Sequence, residues 1–167
     1  VGLVGAAILL LALVGVFRYE SAGTGADPTY SAAAPKALQT FDGSASGTQA
    51  YVVPLQVNEP NLTALDFRLE ASGATFNVTV VDPSGQTHAM QGPTPLSVMV
   101  AVAPLPQNGT VPANDHPGVG TWNVTITMVQ APSSGGPVPT PPTLLPGSSA
   151  AAVPFHLTPY ATEWVAG

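Results

Sequence analysis

The sequence predicts a mainly β chain: an N-terminal hydrophobic α-helix followed by an antiparallel β-sandwich. Three observations carry that expectation. The first seventeen residues, VGLVGAAILLLALVGVF, hold no polar or charged side chain. The body behind them alternates apolar and polar residues at period two, in short stretches divided by Gly, Pro and Asp turn signals. Charged residues make up only 7% of the chain, so its surface is furnished by Ser, Thr, Asn and Gln rather than by the Glu and Lys of surface helices.

The same composition excludes several functions. A chain of 167 residues, less the helix and a linker, leaves one domain of about 110–130 residues. The formal charge is −6 and the three basic residues, Arg18, Lys36 and Arg68, are scattered. With no basic patch to neutralise phosphates, nucleic acid is not an expected partner. Cysteine is absent, which removes disulfides, thiolate metal sites and thiol catalysis together. Stability must then come from packing, tight turns, glycans or assembly.

Taken in order, residues 1–20 form the hydrophobic helix. Its apolar run would be roughly 25 Å long, slightly short of a 30 Å hydrocarbon core. Arg18 and Tyr19 are suited to the interface. Gly2 and Ala6 have small-xxx-small spacing, and Gly5, Ala12 and Gly15 add flat positions for close helix contact. The competing interpretation is that such small residues are ordinary in any membrane span.

The run stands at the first residue, Val1, as expected of a helix kept when only the residues before it are cleaved away. This N-terminus resembles archaeal type IV pilins and archaellins, which pair such a helix with a glycosylated β-domain. The resemblance covers about twenty residues and the general layout. It implies copies of the same chain as partners, a membrane location before assembly, and a final place in an extracellular filament or on the cell surface. A plain single-pass anchor accounts for the same residues.

Residues 21–35 (SAGTGADPTYSAAAP) read as a semi-extended linker, with a short helix over Ser31–Leu38 as the alternative. Residues 36–167 form the extracellular β-domain. Gln49–Val57 is strand-like, and Pro54 within it points to an edge or a bulge. Leu65, Phe67 and Leu69 alternate with Asp66, Arg68 and Glu70, as in a half-buried strand. Ala74–Asp82 places Phe76, Val78 and Val80 inward and stops at the turn Asp82-Pro83-Ser84-Gly85. Leu96–Ala103 is the most apolar strand and is expected to be central. In Gly120–Gln130, Trp122, Val124, Ile126 and Met128 face in, while Asn123, Thr125 and Thr127 face out. Residues 131–149 are a Pro/Gly-rich loop or spacer. Two strands, Ala151–Leu157 and Tyr160–Val165, close the chain.

Seven to nine such strands give a sandwich of jelly-roll or immunoglobulin-like type. The stretch LDFRLEASGATFNVTVVDPSG and the later GVGTWNVTI are similar to strand pairs in the proprotein-convertase P-domain and in pre-peptidase C-terminal domains. That similarity implies a jelly roll that binds, stabilises or spaces and is not itself an enzyme.

Four Asn-x-Thr acceptors are present, at Asn61, Asn77, Asn108 and Asn123. The strand phase puts Asn77 and Thr79, and Asn123 and Thr125, on polar faces, so that a glycan there points into solvent. Asn61, at a strand start, and Asn108, in a loop, are expected to be accessible. Alternatively, Asn/Thr alternation simply makes a polar β-face. His88, His116 and His156 lack metal-ligand spacing, and Asp82 and Asp115 have the setting of turn-formers rather than calcium ligands. Ser133, Ser134, Ser148 and Ser149 fall in low-complexity sequence, no Gly-x-Ser-x-Gly elbow occurs and no carboxylate pair stands out. Trp122 and Trp164 suit core or interface positions better than sugar platforms.

No catalytic, cofactor or metal role is therefore assigned. The expected function is that of a structural subunit of a pilus-like filament, with helices bundled in the core and glycosylated β-domains outside. The alternative is a singly anchored β-sandwich acting as a binding module or auxiliary subunit.

Overall fold

The computed structural model describes residues 29–107, 116–132 and 152–167. Ten strands occur among them: β1 (Tyr30–Ala32), β2 (Lys36–Ala37), β3 (Phe41–Ala45), β4 (Ala50–Val57), β5 (Leu62–Ala71), β6 (Thr75–Val81), β7 (Thr87–Pro93), β8 (Leu96–Ala101), β9 (Gly120–Gln130) and β10 (Val153–Ala166). Among the described residues there is no helix, and so none long and apolar enough to cross a membrane. The N-terminal helix of residues 1–20, with Gly2, Gly5, Ala6, Ala12 and Gly15, lies outside the described residues. So do residues 21–28 of the linker, Asn108, and residues 133–149 of the Pro/Gly-rich stretch.

The strands form two antiparallel sheets, ordered β1-β10-β5-β8 and β4-β9-β6-β7, with β2 and β3 also paired to β10. From β3 onward the chain changes sheet at every step except the β6–β7 hairpin. Side chains from the inner faces meet in one core. Trp122, Phe67, Phe76 and Phe155 are its largest members, and no polar or charged side chain is buried among the described residues. Phe67 of one sheet lies 5.9 Å from Trp122 of the other, and Phe155 lies 6.2 Å from Phe76 between ring centroids. Each such ring, fully buried, stabilises the fold by roughly 1.5–3 kcal/mol relative to exposure.

The period-two reading holds where it was sharpest. Leu65, Phe67 and Leu69 are buried on β5, as are Phe76, Val78 and Val80 on β6 and the four predicted residues of β9. β4 lies at a sheet edge, consistent with Pro54.

Four expectations need correction. Ser31–Leu38 is not a helix; β1 and β2 occupy it. Pro35 disfavours the α conformation at Ala34, and the segment instead hydrogen-bonds to β10, through Ala33 N–H to Glu163 O (2.8 Å) and Leu38 N–H to Pro159 O (2.9 Å). Strand pairing accordingly begins at Tyr30, inside the stretch read as linker. β8 is an edge strand, not a central one. Its outward Met99 is 71% exposed, so apolar character on both faces did not mean neighbours on both sides.

The two closing strands are one, β10, running through Pro154 and Pro159. A strand residue's N–H and C=O point to the same side, and the Pro159 carbonyl accepts from Leu38 on the β2/β3 side. The missing N–H of Pro159 therefore falls in the interval between β3, which ends opposite Leu157, and β2, which starts opposite Tyr160. Proline costs no ladder bond there.

Gly43 shows how tightly β3 lies on the core. It is the register partner of Phe155, and a Cβ at position 43 would fall 2.5 Å from the tip of the Phe155 ring. We expect Gly43→Ala to destabilise the domain by about 1–3 kcal/mol in urea unfolding, as overpacking does. Phe155→Leu should recover part of that loss in the double variant, giving a non-additive cycle. Simple additivity would show that the ring does not meet the glycine.

Candidate functional site

Three places on the domain could carry a function. The first is a cleft of about 250 Å³ lined by residues including Asp82, Ser84, Gln86, Val102, Gly118 and Trp122. It is smaller than the usual small-molecule site. Gly118 is required on its wall: it has φ +83°, and a Cβ would come within 2.6 Å of Val102. The Gly118 carbonyl accepts from Trp122 Nε1 at 2.8 Å, which satisfies the buried indole.

Asp82 is the one carboxylate on this cleft, and its oxygens are taken up by the β6–β7 turn. Oδ1 accepts from Ser84 N (2.9 Å), Ser84 Oγ (2.6 Å) and Gln86 N (2.9 Å), while His88 Nε2 lies 3.4 Å from Oδ2. Burial alone would raise the pKa of Asp82. The hydrogen bonds from the Ser84 hydroxyl, the Gln86 amide, His88 and the Ser84 amide outweigh burial and hold it below the ordinary 3.8. Oδ1 is committed to closing the turn, and Oδ2 faces His88.

The second place is the outer face of the six-stranded sheet, where the charged strand residues gather. Arg68 Nε donates to Asp66 at 2.7 Å, and its guanidinium sits 4.4 Å over the Tyr160 ring. Asp66 also accepts from the Ser97 hydroxyl. His156 pairs with Asp42, with both side chains more than half exposed. Such surface pairs contribute little stability. His116, the third histidine, lies 3.3 Å from the Pro60 carbonyl. Among the described residues no three His, Asp or Glu side chains come together to hold a metal.

The third place is the outer face of the four-stranded sheet. β4, β6, β7 and β9 contain not one Asp, Glu, Lys or Arg. Asn77 and Asn123 both project on this face from the two inner strands, Asn77 half-buried and Asn123 exposed. Their acceptor threonines, Thr79 and Thr125, are register partners of one another. The two acceptor motifs thus run antiparallel and share a central Thr–Thr pair, with an asparagine at each end. The sequence signalled each motif but not the pairing of β6 with β9 that brings them together.

Asn61 is placed differently. It is half-buried, its carbonyl accepts from Trp164 N–H at 2.9 Å, and the Thr63 hydroxyl donates to Thr162 O at 2.8 Å. The accessibility expected there is reduced in the folded chain. Trp122 is a core residue at 1% exposure, and Trp164 is half-buried edge-to-face against Tyr30 at 5.2 Å.

Comparison with protein-family models and with curated protein sequences returned no match.

The Asp82 turn yields a pH test. A carboxylate whose folded pKa lies below its unfolded value adds stability above the unfolded value, and that stability is lost as pH falls through the folded one. Asp82→Ala should cost about 1–3 kcal/mol at pH 7, and the gap to wild type should close as pH falls below 3.8. Urea unfolding from pH 7 to pH 2 measures it. A gap that does not change with pH would show that the loss is not that of a carboxylate.

Proposed function

We propose that this chain is a structural subunit of an extracellular pilus-like filament, with the apolar segment of residues 1–17 held as a helix among copies of itself and the β-domain on the outside. The observation that supports the reading most is how the domain joins what precedes it. Thr29 and Gly167 are bonded to one another (Gly167 N–H to Thr29 O, 2.8 Å), and β1 pairs with the last residues of β10. The route toward the apolar segment therefore departs from one tip of the sandwich, beside Gly167.

A domain held at one tip leaves its broad faces open for neighbours and solvent. The alternation of strands between sheets, β3-β10-β5-β8 against β4-β9-β6-β7, supports the jelly-roll class. In this proposal Gly2, Gly5, Ala6, Ala12 and Gly15 supply the close helix contacts once lipid is left behind. The membrane is the partner before assembly, and N-linked glycans at the Asn-x-Thr acceptors clothe the exterior.

The apolar segment serves equally as a single membrane anchor, and the two readings part at one experiment. Cells producing the chain are sheared, and the released material is viewed by electron microscopy with an antibody to the β-domain. Labelled filaments are the expected result. Antigen confined to detergent-extracted membranes would end the filament reading in favour of the single anchor.

A further inference from the structure

We propose that two copies of this chain, carried side by side, pair through the open edges of β7 and β8, each β8 adding to the partner's β7. The inference rests on the surface display put forward above, which a filament and a single anchor both provide. It assigns the contact between neighbouring β-domains.

The sequence treats the two flanks of the sandwich differently. On one flank the six-stranded sheet ends in β1, β2 and β3, short pieces interrupted at Pro35 and carrying Lys36 and Asp42. The four-stranded sheet ends beside them in β4, whose Tyr51 hydroxyl donates to Asp42 O. In the β6–β7 turn Asp82 N–H donates to Gln86 O. Strand alternation, carried from there through the register of β6, β9 and β4, turns the nitrogen of Pro54 to the open side. That edge lacks a donor near its centre. Broken strands, charge and edge proline are the devices by which sheets avoid pairing with other chains.

The opposite flank is bare of them, apart from Pro93 at the last position of β7. There β7 and β8 end their sheets, contain no Asp, Glu, Lys or Arg, and pair with β6 and β5 without a register shift. Val102 N–H donates to Thr63 O. By alternation Leu96, Val98 and Val100 turn toward β5, and the N–H and C=O groups of Ser97, Met99 and Ala101 turn outward. The same step from Asp82 and Gln86 leaves those of Thr87, Ala89 and Gln91 outward on β7. Among the described residues none of these six has a backbone partner on that side. Met99 is 71% exposed, and Met90, opposite the buried Val78, is still 46% exposed. The core is open on this flank too.

The two edges fit one another. β7 and β8 run in opposite directions on either side of Thr94-Pro95, and a Cβ at Gly92 would lie 3.2 Å from Leu96. Gly92 is thus level with Leu96, Gln91 with Ser97, Ala89 with Met99 and Thr87 with Ala101. Half a turn about an axis parallel to the strands keeps every height and every direction. It sets β8 beside the partner's β7 in antiparallel, with Met99 opposite the partner's Ala89 and Ser97 opposite the partner's Gln91. Symmetry forms the reciprocal junction. Outward groups meet outward groups, for about twelve hydrogen bonds over the two junctions. The partner's Met90 comes opposite Val98 and closes the core from outside. Both tips that carry Thr29 and Gly167 point the same way, as copies borne on one surface require. An antiparallel β8–β8 pair would point them in opposite directions.

The flank measures roughly 17 Å along five residues and about 20 Å across the two sheets, or about 350 Å² per partner. A standard interface buries about 800 Å² per partner, so free chains associate weakly. Copies sharing a surface meet at a far higher effective concentration, and pairing follows display.

The absence of cysteine makes the test direct. Met99→Cys and Ala89→Cys are made in separate, differently tagged full chains, displayed together in one membrane and oxidised mildly. Both positions are exposed. Opposed residues in a hydrogen-bonded pair have Cα atoms about 5.5 Å apart, within disulfide range. A heterodimer on a non-reducing gel is the expected result, with no dimer when either variant is displayed alone. Absence of the heterodimer would overturn the pairing, and dimers of Met99→Cys alone would overturn it in favour of collision or β8–β8 contact. Adding Ser97→Lys to the first chain and Gln91→Lys to the second sets like charges opposite one another and should abolish the heterodimer; an unchanged yield would contradict the register. Filaments are scored separately in sheared material. Heterodimers in membranes without filaments uphold the pairing and end the filament reading, and filaments without heterodimers do the reverse.

Discussion

The domain depends on the pairing of β10. Its fourteen residues run between β5 on one side and, on the other, β3, β2 and β1 in succession. Remove β10 and the six-stranded sheet loses its centre, because β5 and β8 would be left apart from everything N-terminal to residue 46. The inward residues Val153, Phe155, Leu157 and Ala161 also fill the core. Phe155 alone contacts rings on the opposite sheet, Tyr51 at 5.2 Å and Phe76 at 6.2 Å. A single late strand thus binds the beginning of the domain to its end, and it does so through contacts distant in sequence, whose loop-closure cost is met only when the core closes.

That arrangement has a mechanical side. The residues from Thr29 to Ala45 follow β10 over its whole length as an antiparallel edge, interrupted at Pro35 and again before β3. The chain in front of Thr29 is attached to the domain through this edge. The Tyr30–Trp164 contact and the Gly167–Thr29 bond sit at the point of entry. This is a suitable join for the proposed role, in which an apolar segment carries the domain. The two outer faces then divide the remaining roles, one furnished with ion pairs and one with Thr, Asn, Gln and small apolar side chains.

Much of this was legible in the sequence, and the failures have one cause. Period-two patterns expose which face of a strand is buried, since burial selects apolar residues locally; β5, β6 and β9 were readable for that reason. Which strands are neighbours is decided by long-range pairing, and the pattern of Leu96–Ala101 carries no mark of being an edge. The same holds for β3 and β7. FDGSA and THAMQGP have low apolar contrast and Gly or Pro within them, and they become strands only because β10 and β6 offer ladders. The interval read between Leu157 and Tyr160 contains Pro159, whose missing donor matters only if a partner is opposite it. At the Asn-x-Thr motifs, residue type and phase were visible, while the Thr79–Thr125 register was not. Asn61 looked open because nothing local shows that Thr63 will bond to Thr162.

Native-state hydrogen exchange of the full chain, read residue by residue, addresses the role of β10 most directly. If residues 29–45 and β10 form one unit, the amides of Ala33 and Leu38, which donate to β10, exchange only through the same global opening as the β5 amides paired to β10. Fast exchange at Ala33 and Leu38 while β5 stays protected would contradict this, making the N-terminal edge a loosely attached strap rather than part of the fold.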